Sequence, residues 1–382
     1  MTPTERRARL AELAAVFLKL GTIGFGGPAA HVALMEDEVV RRRKWVSRER
    51  FLDLVGATNL IPGPNSTELA IHLGRERAGA AGLLLAGACF IVPAFAAVLA
   101  IAWAYERWGS LPASAGLLLG VKPVVLAVIA QALWGLGRSA ARTLPLTLIG
   151  VVSAAASAAG IHELAVLGGA ALLALAIEAP RAPRGGRAAA LVALPEGIAA
   201  LFGGATTVAA TPSAGGLFLV FAKIGAVIFG SGYVLLAFLR TELVARLGWL
   251  TEAQLLDAVA VGQVTPGPVF TTATFVGYQL AGVPGAFAAT AGIFLPAFVF
   301  VAVTAPWIER LRASPTAAAL LDGVNVASLG LMAVVALQLA HAALTGPVTV
   351  ALAATAAILL FRFRVNSAWL VAGGAAAGLL LG

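Results

Sequence analysis

The chain has a single cysteine, Cys89. That excludes an internal disulfide and a metal held by a thiolate cluster, and leaves Cys89 as a small packing residue. Charge is scarce as well. Charged residues make up 12% of the 382, hydrophobic residues 60%, and the mean hydropathy is +0.94. A soluble globular domain carries about 25% charged residues, so that class is excluded. The sequence has no GxxxxGK[ST] loop and no HExxH pair, which removes ATP-driven pumping by this chain and metalloprotease work. No cofactor is implied. Acidic residues are outnumbered 18 to 26 by Lys and Arg, for a net charge of +8. The arginines sit in short loops between apolar runs, where positive charge marks the cytoplasmic side of a membrane, so nucleic acid is not the partner this charge indicates. At the N-terminus no small-residue cleavage site follows a short apolar core, and the first helix is expected to stay attached.

What the chain does have is length of apolar run. Residues 79–103, 115–136 and 284–307 each exceed the roughly 20 helical residues that cross a hydrocarbon core of about 30 Å. The expected partner is the lipid bilayer, and the expected fold is one integrated helical bundle. Full spans are expected at 79–104, 115–137, 143–159 and 162–179, with the last two short.

Most of the segment 17–64 is written a second time at 221–268. FLKLGTIGFGGPAAH answers to FAKIGAVIFGSGYVL, and NLIPGPNST to GQVTPGPVFTT. Lys19 recurs as Lys223, Trp45 as Trp249 and Pro62 as Pro266, and beyond these the register slips by one residue. Two halves therefore share one plan. The division is an N-terminal repeat at 1–180, a hinge with a connecting transmembrane helix at 181–212, and a C-terminal repeat at 213–382. If the stretch 188–210 crosses the membrane, the second half enters from the opposite side and its loops should carry the reverse charge pattern. Four loops agree. Arg75 and Arg77 face an uncharged 279–284; Arg107 faces Arg310 and Arg312 beside Glu309; Arg138 and Arg142 face 341–346, which has no Arg or Lys; and the His162 loop faces Arg362 and Arg364. Arg240 and Arg246 dissent, with Glu242 and Glu252 near them. The fold class is thus an all-α polytopic membrane protein of two inverted-topology repeats, with broken or re-entrant helices meeting at a central site.

Glycine and proline break the helices at two places per half. Gly21, Gly24, Gly26, Gly27 and Pro28 interrupt the run at 10–34, and basic residues at both of its ends suggest a re-entrant hairpin with a cytoplasmic N-terminus; an ordinary span is the alternative. Residues 36–50 look like an interfacial segment with Trp45 at headgroup level, Ser47 caps the helix that follows, and Thr251 with Gln254 has capping-box spacing. Pro62-Gly63-Pro64 breaks the run 51–73 in the same hairpin manner.

A broken helix at membrane depth survives where it lines a polar cavity or packs inside protein. Pro62, Gly63, Pro64, Asn65, Ser66 and Thr67 should present a helix N-terminus with capping hydroxyls, and Pro266, Gly267, Pro268, Thr271 and Thr272 the same from the other half. Helix N-termini favour an anion, and four breaks around a pseudo-two-fold axis would surround one; the plain alternative is that Pro and Gly only kink packed helices. Lys19 and Lys223 read as a charge clamp for a divalent oxyanion, or as lysines snorkelling to the headgroups. Glu68, whose twin is Thr272, is a proton-coupling candidate or a structural acceptor. His31 and His72 are proton-transfer candidates that also read as packing histidines, and Lys122, with Asn325 as twin, is a candidate for the anion path. Asp53, Asp257, Glu38 and Glu242 read as solvated or lysine-paired carboxylates.

GFGGPxxH at 24–31, PGP at 62–64, its twin at 266–268 and the whole-chain duplication resemble the chromate ion transporter family, over nearly the full length. The second copy departs at Ser231-Gly232, where the first has Gly27-Pro28, so the halves are not expected to play identical roles. The resemblance implies two halves of opposed orientation and export of chromate across a bacterial or archaeal inner membrane. It matches Gly24, Gly26, Gly27, Pro28, His31 and both PGP motifs to the family pattern. Drive by proton exchange or membrane potential is expected, with no enzymatic step, and a homodimer is allowed. Transport of sulfate or another oxyanion stands as the alternative, since tetrahedral dianions of similar shape suit the same donors. A non-transporting sensor or scaffold is the alternative of a different class.

Overall fold

The computed structural model describes residues 3–25, 27–109, 112–178, 211–229, 234–307 and 314–381. The connecting helix expected at 188–210, Gly26, Ser231, Gly232, and Glu309, Arg310 and Arg312 lie outside the described residues.

Among the described residues fourteen α-helices fall into two sets of seven. The first set is α1 Pro3–Ile23, α2 Pro28–Met35, α3 Arg48–Thr58, α4 Asn65–Trp108, α5 Pro112–Ala140, α6 Leu144–Ala158 and α7 Glu163–Glu178. The second is α8 Ala214–Val227, α9 Leu235–Leu239, α10 Glu252–Val264, α11 Thr272–Thr304, α12 Pro315–Ala343, α13 Pro347–Phe363 and α14 Ser367–Leu381. Helices α2 and α9 each run on into a π-helical stretch, Glu36–Arg42 and Arg240–Arg246, so the interfacial segment expected at 36–50 is in part a widened helix. Among the described residues four segments are long and apolar enough to cross a membrane: Asn65–Trp108, Gly116–Ala140, Val269–Thr304 and Pro315–Ala343.

Helices α4 and α11 are each a hairpin of two arms. The fold occurs at Ala78-Gly79 and at Ala281-Gly282, where the glycines take φ of +62° and +61°, a conformation glycine adopts without a Cβ clash. The Thr274 and Thr290 hydroxyls lie 2.7 Å apart, whereas 16 residues of straight helix would separate them by about 24 Å. Side chains are excluded where the arms meet: a Cβ on Gly74 would strike the Gly82 carbonyl, and one on Gly277 the Gly285 carbonyl. The one-residue slip between the repeats has a physical cause here. The second half precedes its first arm with a 3₁₀ turn, Val269–Thr271, which the first half lacks. Three residues at about 2.0 Å rise cover the length of four at about 1.5 Å.

Helix α1 lies on α4 with Gly21 against the Phe90 carbonyl, and α8 lies on α11 with Gly225 against that of Ile293. The outer helices are exchanged between halves. Helices α6 and α7 pack on α12, with Gly150 against Gly330 and Ala170 against Gly323, while α13 and α14 pack on α5, with Gly374 and Gly378 against Gly120. Small residues are what allow such approach where lipid offers no hydrophobic drive between helices. The outer helices thus complete each other's packing across the halves, and α4 meets α11 between them.

Caps follow the sequence. Ser47 Oγ accepts from Arg50 N–H at 3.1 Å, and Thr251 with Gln254 forms a complete capping box. The two dissenting arginines are neutralised: Arg240 pairs with Glu252 at 2.6 Å and Arg246 with Glu242 at 2.5 Å.

Candidate functional site

The four breaks meet in two reciprocal pairs. Gly63 N–H donates to the Ile228 carbonyl at 2.7 Å, and Gly267 N–H donates to the Gly24 carbonyl at 2.8 Å. Gly63 and Gly267 are twins in the repeat, as are Gly24 and Ile228. Each PGP glycine thus satisfies the helix break of the other half. The carbonyl freed where α1 stops, four residues before Pro28, gains a second donor in the His31 Nε2–H at 2.9 Å, and the His31 ring packs edge-on against Phe90 with centroids 5.3 Å apart. Its twin is Leu235, so the second half has no such support. Gly27, at φ +79°, turns the chain into Pro28, the first residue of α2.

The hydroxyls expected to cap the PGP helices do not do so. No side chain caps the start of α4 at Pro64, and Thr67 Oγ1 is buried without a partner. Ser66 is also buried. In the second half Thr271 and Thr272 donate back to the carbonyls of Pro268 and Val269, both at 2.8 Å, because the 3₁₀ turn brings those oxygens within reach. Chemistry left unspent therefore gathers on the first-half side. Asn65 gives its amide N–H to Asn59 Oδ1 at 2.8 Å and keeps its own oxygen unpaired. Glu68 is fully buried, and neither carboxylate oxygen has a hydrogen-bond partner. Its carboxyl lies against Gly63, since a Cβ on that glycine would run into Glu68 Oε1. One turn further on, His72 is buried with Nε2 unpaired. Pro62 and Pro266 are half-buried beside the fully buried Gly63, Pro64, Gly267 and Pro268.

The lysines have carboxylate partners. Lys19 Nζ lies 2.9 Å from Glu38, which also accepts from Arg43 at 2.8 Å; Arg43 reaches Glu12, and Arg43 and Arg77 both stack on Trp45. Hydrogen bonds from Lys19 and then Arg43 hold the Glu38 carboxyl below the usual carboxylate range. Lys223 pairs with Glu242 at 2.5 Å in a small crevice against His162 and Glu163 at the start of α7. Burial pushes the Glu242 carboxyl up, but Lys223 and Arg246 outweigh it and the net direction is down. A clamp on a passing dianion must compete with these two glutamates. Lys122 lies 2.8 Å from Asp257, which also accepts from Tyr105 at 2.8 Å, so this cluster ties α4 and α5 to α10.

Two contributors were not anticipated from sequence. Tyr105 sits at the far end of a span with nothing local to mark it, and Ile228 acts through its backbone carbonyl. The repeat register, which pairs Ile228 with Gly24, is the signal that identifies the latter. Elsewhere, a cleft of about 480 Å³ between α4 and α11 is lined by twins such as Leu84 and Phe287 or Val92 and Leu295, and its apolar walls make it unsuited to an anion.

The chain matches the model of the family described as chromate transporter twice, over residues 11–175 and 215–379. It is 34% identical to the chromate transport protein of Cupriavidus metallidurans, over 97% of this chain and 93% of that one. To the probable chromate transport protein of Synechococcus elongatus it is 35% identical, over 85% and 83%. To the chromate transport protein of Pseudomonas aeruginosa it is 33% identical, over 86% and 81%. No solved structure matches it.

Proposed function

This chain belongs to the chromate transporter family and is a membrane transporter of chromate, and we propose that it exports the anion as a secondary transporter through the paired breaks at the centre of the bundle. The observation that carries this reading is the reciprocal hydrogen bonding of Gly63 to Ile228 and of Gly267 to Gly24. Non-helical backbone from both repeats then lies on the pseudo-two-fold axis, where transporters of repeated topology hold their substrates. The uncapped start of α4, the Thr67 hydroxyl and the positive end of the helix dipole supply donors for a tetrahedral dianion. Asn65, Ser66 and the second-half segment from Pro266 to Thr272 complete its surroundings, with Gly24, Gly27 and Pro28 shaping the opposite wall. Lys19 and Lys223 act on the anion by exchanging Glu38 and Glu242 for it. Lys122 guides it in the same way at the cost of its contact with Asp257. The anion leaves chemically unchanged.

In this reading the repeats, 1–180 and 213–382, are inverted about a connecting helix within 181–212. The ion pairing of Arg240 and Arg246 supports the inversion, because neutralised arginines no longer count against the loop charge pattern. Arg6, Arg7 and Arg9 support a cytoplasmic N-terminus in a bacterial inner membrane. A second copy of the chain is compatible with this reading but not needed for it.

The test is flux of labelled chromate and sulfate in liposomes containing the purified protein, under an imposed pH gradient and then an imposed voltage. Saturable chromate flux, reduced at least tenfold in both Lys19→Ala and Lys223→Ala, is the expected result. Preference for sulfate would move the substrate to another oxyanion. Absence of flux for either anion would remove the transport reading and bring forward a sensor or scaffold.

A further inference from the structure

The Glu68 carboxyl is the least accommodated group at the breaks. It is wholly buried, both oxygens lack a hydrogen bond, and it lies against Gly63, which also has Ala297 of α11 beside it. An ionised carboxylate in such a place is among the costliest groups to bury, and a carboxylate beside a dianion is worse. Its neighbour one helical turn away is His72, buried with Nε2 unpaired and on the same helix face at i+4 spacing. Beyond His72 the arm ends at the half-exposed ion pair of Arg50 with Glu76, 2.6 Å apart, so the two titratable groups lead from the outer end of the arm to the break. Nothing comparable stands in the other half. Glu68 corresponds to Thr272, whose hydroxyl is satisfied, and His72 falls on Phe275 or Val276 according to where the register slip is taken.

We propose that Glu68 and His72 form a proton path confined to the first half, which places a proton on Glu68 whenever an oxyanion occupies the break, so that proton and anion bind together rather than in exchange. This rests on the transport reading above and adds its coupling sign. The proton enters from the outer end of the arm, passes over His72 and ends on a Glu68 carboxylate oxygen. No bond to the anion forms or breaks. A dianion carried with one proton moves a net single negative charge, so an inside-negative potential drives it outward, while a pH gradient with acid outside opposes export.

The other charged groups of the packed elements are committed elsewhere. Arg75, on the same arm, donates to the carbonyls of Val301 and Ala302 at 3.1 and 2.9 Å. Arg50 of α3 is paired with Glu76, and Asp53 on that helix has interactions of its own. From α1, Glu12 pairs with Arg43 and Arg77, and Lys19 with Glu38. His31 of α2 holds the Gly24 carbonyl, and Asp257 of α10 holds Lys122 and Tyr105. From α11, Ala297 and Val301, which share an apolar cluster with Ile61 and Ile71, are uncharged.

The experiment is chromate titration into the purified full-length protein in detergent with a pH-indicating dye, alongside calorimetric binding at several pH values. A blank without protein removes the anion's own protonation. Above the pH at which the buried Glu68 of the free protein has lost its proton, wild type should take up about one proton per chromate, and its affinity should there weaken by up to about tenfold per pH unit. Glu68→Gln should bind chromate with no proton uptake and a flat pH profile. His72→Gln should keep the stoichiometry and slow the uptake at least tenfold in stopped flow, a split that loss of packing would not produce. If Glu68→Gln elutes as aggregate, a chromate-induced protonated-carboxyl band in the infrared difference spectrum of wild type stands in for it. Proton release on binding, no proton change in wild type, or unchanged uptake in Glu68→Gln each overturns the proposal. If wild type binds no chromate at all, the transport reading itself has failed.

Discussion

The two halves are alike where backbones touch and unlike where side chains carry charge. Gly74 and Gly82 recur as Gly277 and Gly285, and Gly21 recurs as Gly225, all at contacts where a Cβ would meet a carbonyl. By contrast, Glu68 faces Thr272, His31 faces Leu235, Lys122 faces Asn325 and Arg43 faces Leu247. One ion pair is even reversed in sense: Glu36 with Arg48 at 3.7 Å in the first half occupies the positions of Arg240 with Glu252 at 2.6 Å in the second. The contrast teaches which constraints are symmetric. These contacts close each hairpin on itself and on the helix that precedes it, within one half, and so make the same steric demand of both copies, and the glycines stay. In the proposed transport reading, an anion held between the halves meets both at once and needs a given titratable group only from one, so the charges are free to differ.

The symmetric part of this comparison breaks most completely at the hairpins. Gly74→Leu and Gly277→Leu each push a side chain into the facing arm, at a Gly-Gly contact that cannot open without unpacking α4 or α11. Both should lose folded monodisperse protein on size exclusion, at a cost above about 4 kcal/mol. A large loss in one half and tolerance in the other would mean that the two hairpins are not held by the same contact.

The ion pairs come next, and here the halves should separate. Glu242 is matched to Lys223 and Arg246 in a crevice, and removing it strands a largely covered lysine, whereas Lys19 beside Glu38 is 48% exposed and water can replace the lost partner. Glu242→Gln is expected to cost about 3 kcal/mol and Glu38→Gln about 1 kcal/mol, read from denaturant unfolding in detergent. The pH response has a definite sign. Both carboxyls are held below their ordinary range when folded, so their contribution is full above the unfolded value near pH 4.3 and is lost as pH falls through the lowered folded values. Wild type should therefore lose stability below about pH 4, and a double Glu→Gln variant should lose less over the same interval. Equal acid sensitivity in the two proteins would count against these pairs as its source.

Much of the fold was legible because the repeat supplied it twice. The PGP breaks, the span at 79–104 and the caps at Ser47 and Thr251 each follow from residues whose local physics is unambiguous, and the duplicated register told which segments correspond. The exchange of α6 and α7 for α13 and α14 was not legible, since small residues permit close approach without naming a partner. The helix breaks were legible as places rather than as a set of contacts. Glycine and proline marked the breaks, but the bond from Gly63 to Ile228 runs between backbone atoms, and no side chain announces it. The hydroxyls of Thr271 and Thr272 misled for a related reason: a threonine after a break caps the helix or returns to its own carbonyls according to whether the first turn is α or 3₁₀, which the sequence does not state.

The Asp257 cluster sharpens the comparison across the halves. Asp257 is buried with Lys122 and Tyr105 as partners from the other repeat, while its twin Asp53 is half-buried on α3. Asp257→Asn leaves the Lys122 ammonium without its carboxylate, for an expected loss of about 2 kcal/mol, against less than about 1 kcal/mol for Asp53→Asn. Lys122→Met in the Asp257→Asn background should recover part of the loss, because an unpaired buried cation is then removed. Failure of that double variant to recover would show that Tyr105, and not the ion pair, is what Asp257 serves.

The smallest difference lies at the twin caps, and it is the finest test of whether local chemistry alone separates the repeats. Ser47 makes one bond, from Arg50 N–H at 3.1 Å, because its capping-box position is filled by an arginine, which has no acceptor to offer. Thr251 makes the equivalent bond from Gln254 N–H at 3.2 Å and also receives the return, with its own N–H donating to Gln254 Oε1 at 2.9 Å. Removing the hydroxyl abolishes one bond at Ser47 but two at Thr251, whose Oγ1 also donates to Gln254 Oε1 at 3.0 Å, and there it frees the glutamine that closes the box. Thr251→Ala should therefore cost about 1 kcal/mol and Ser47→Ala about 0.5 kcal/mol. Arg50→Gln, which supplies the missing acceptor, should close the gap by raising the cost of Ser47→Ala measured in that background. Since Arg50 also holds Glu76, the comparison has to be made as a double-mutant cycle, in which the loss of that ion pair cancels and only the cap remains.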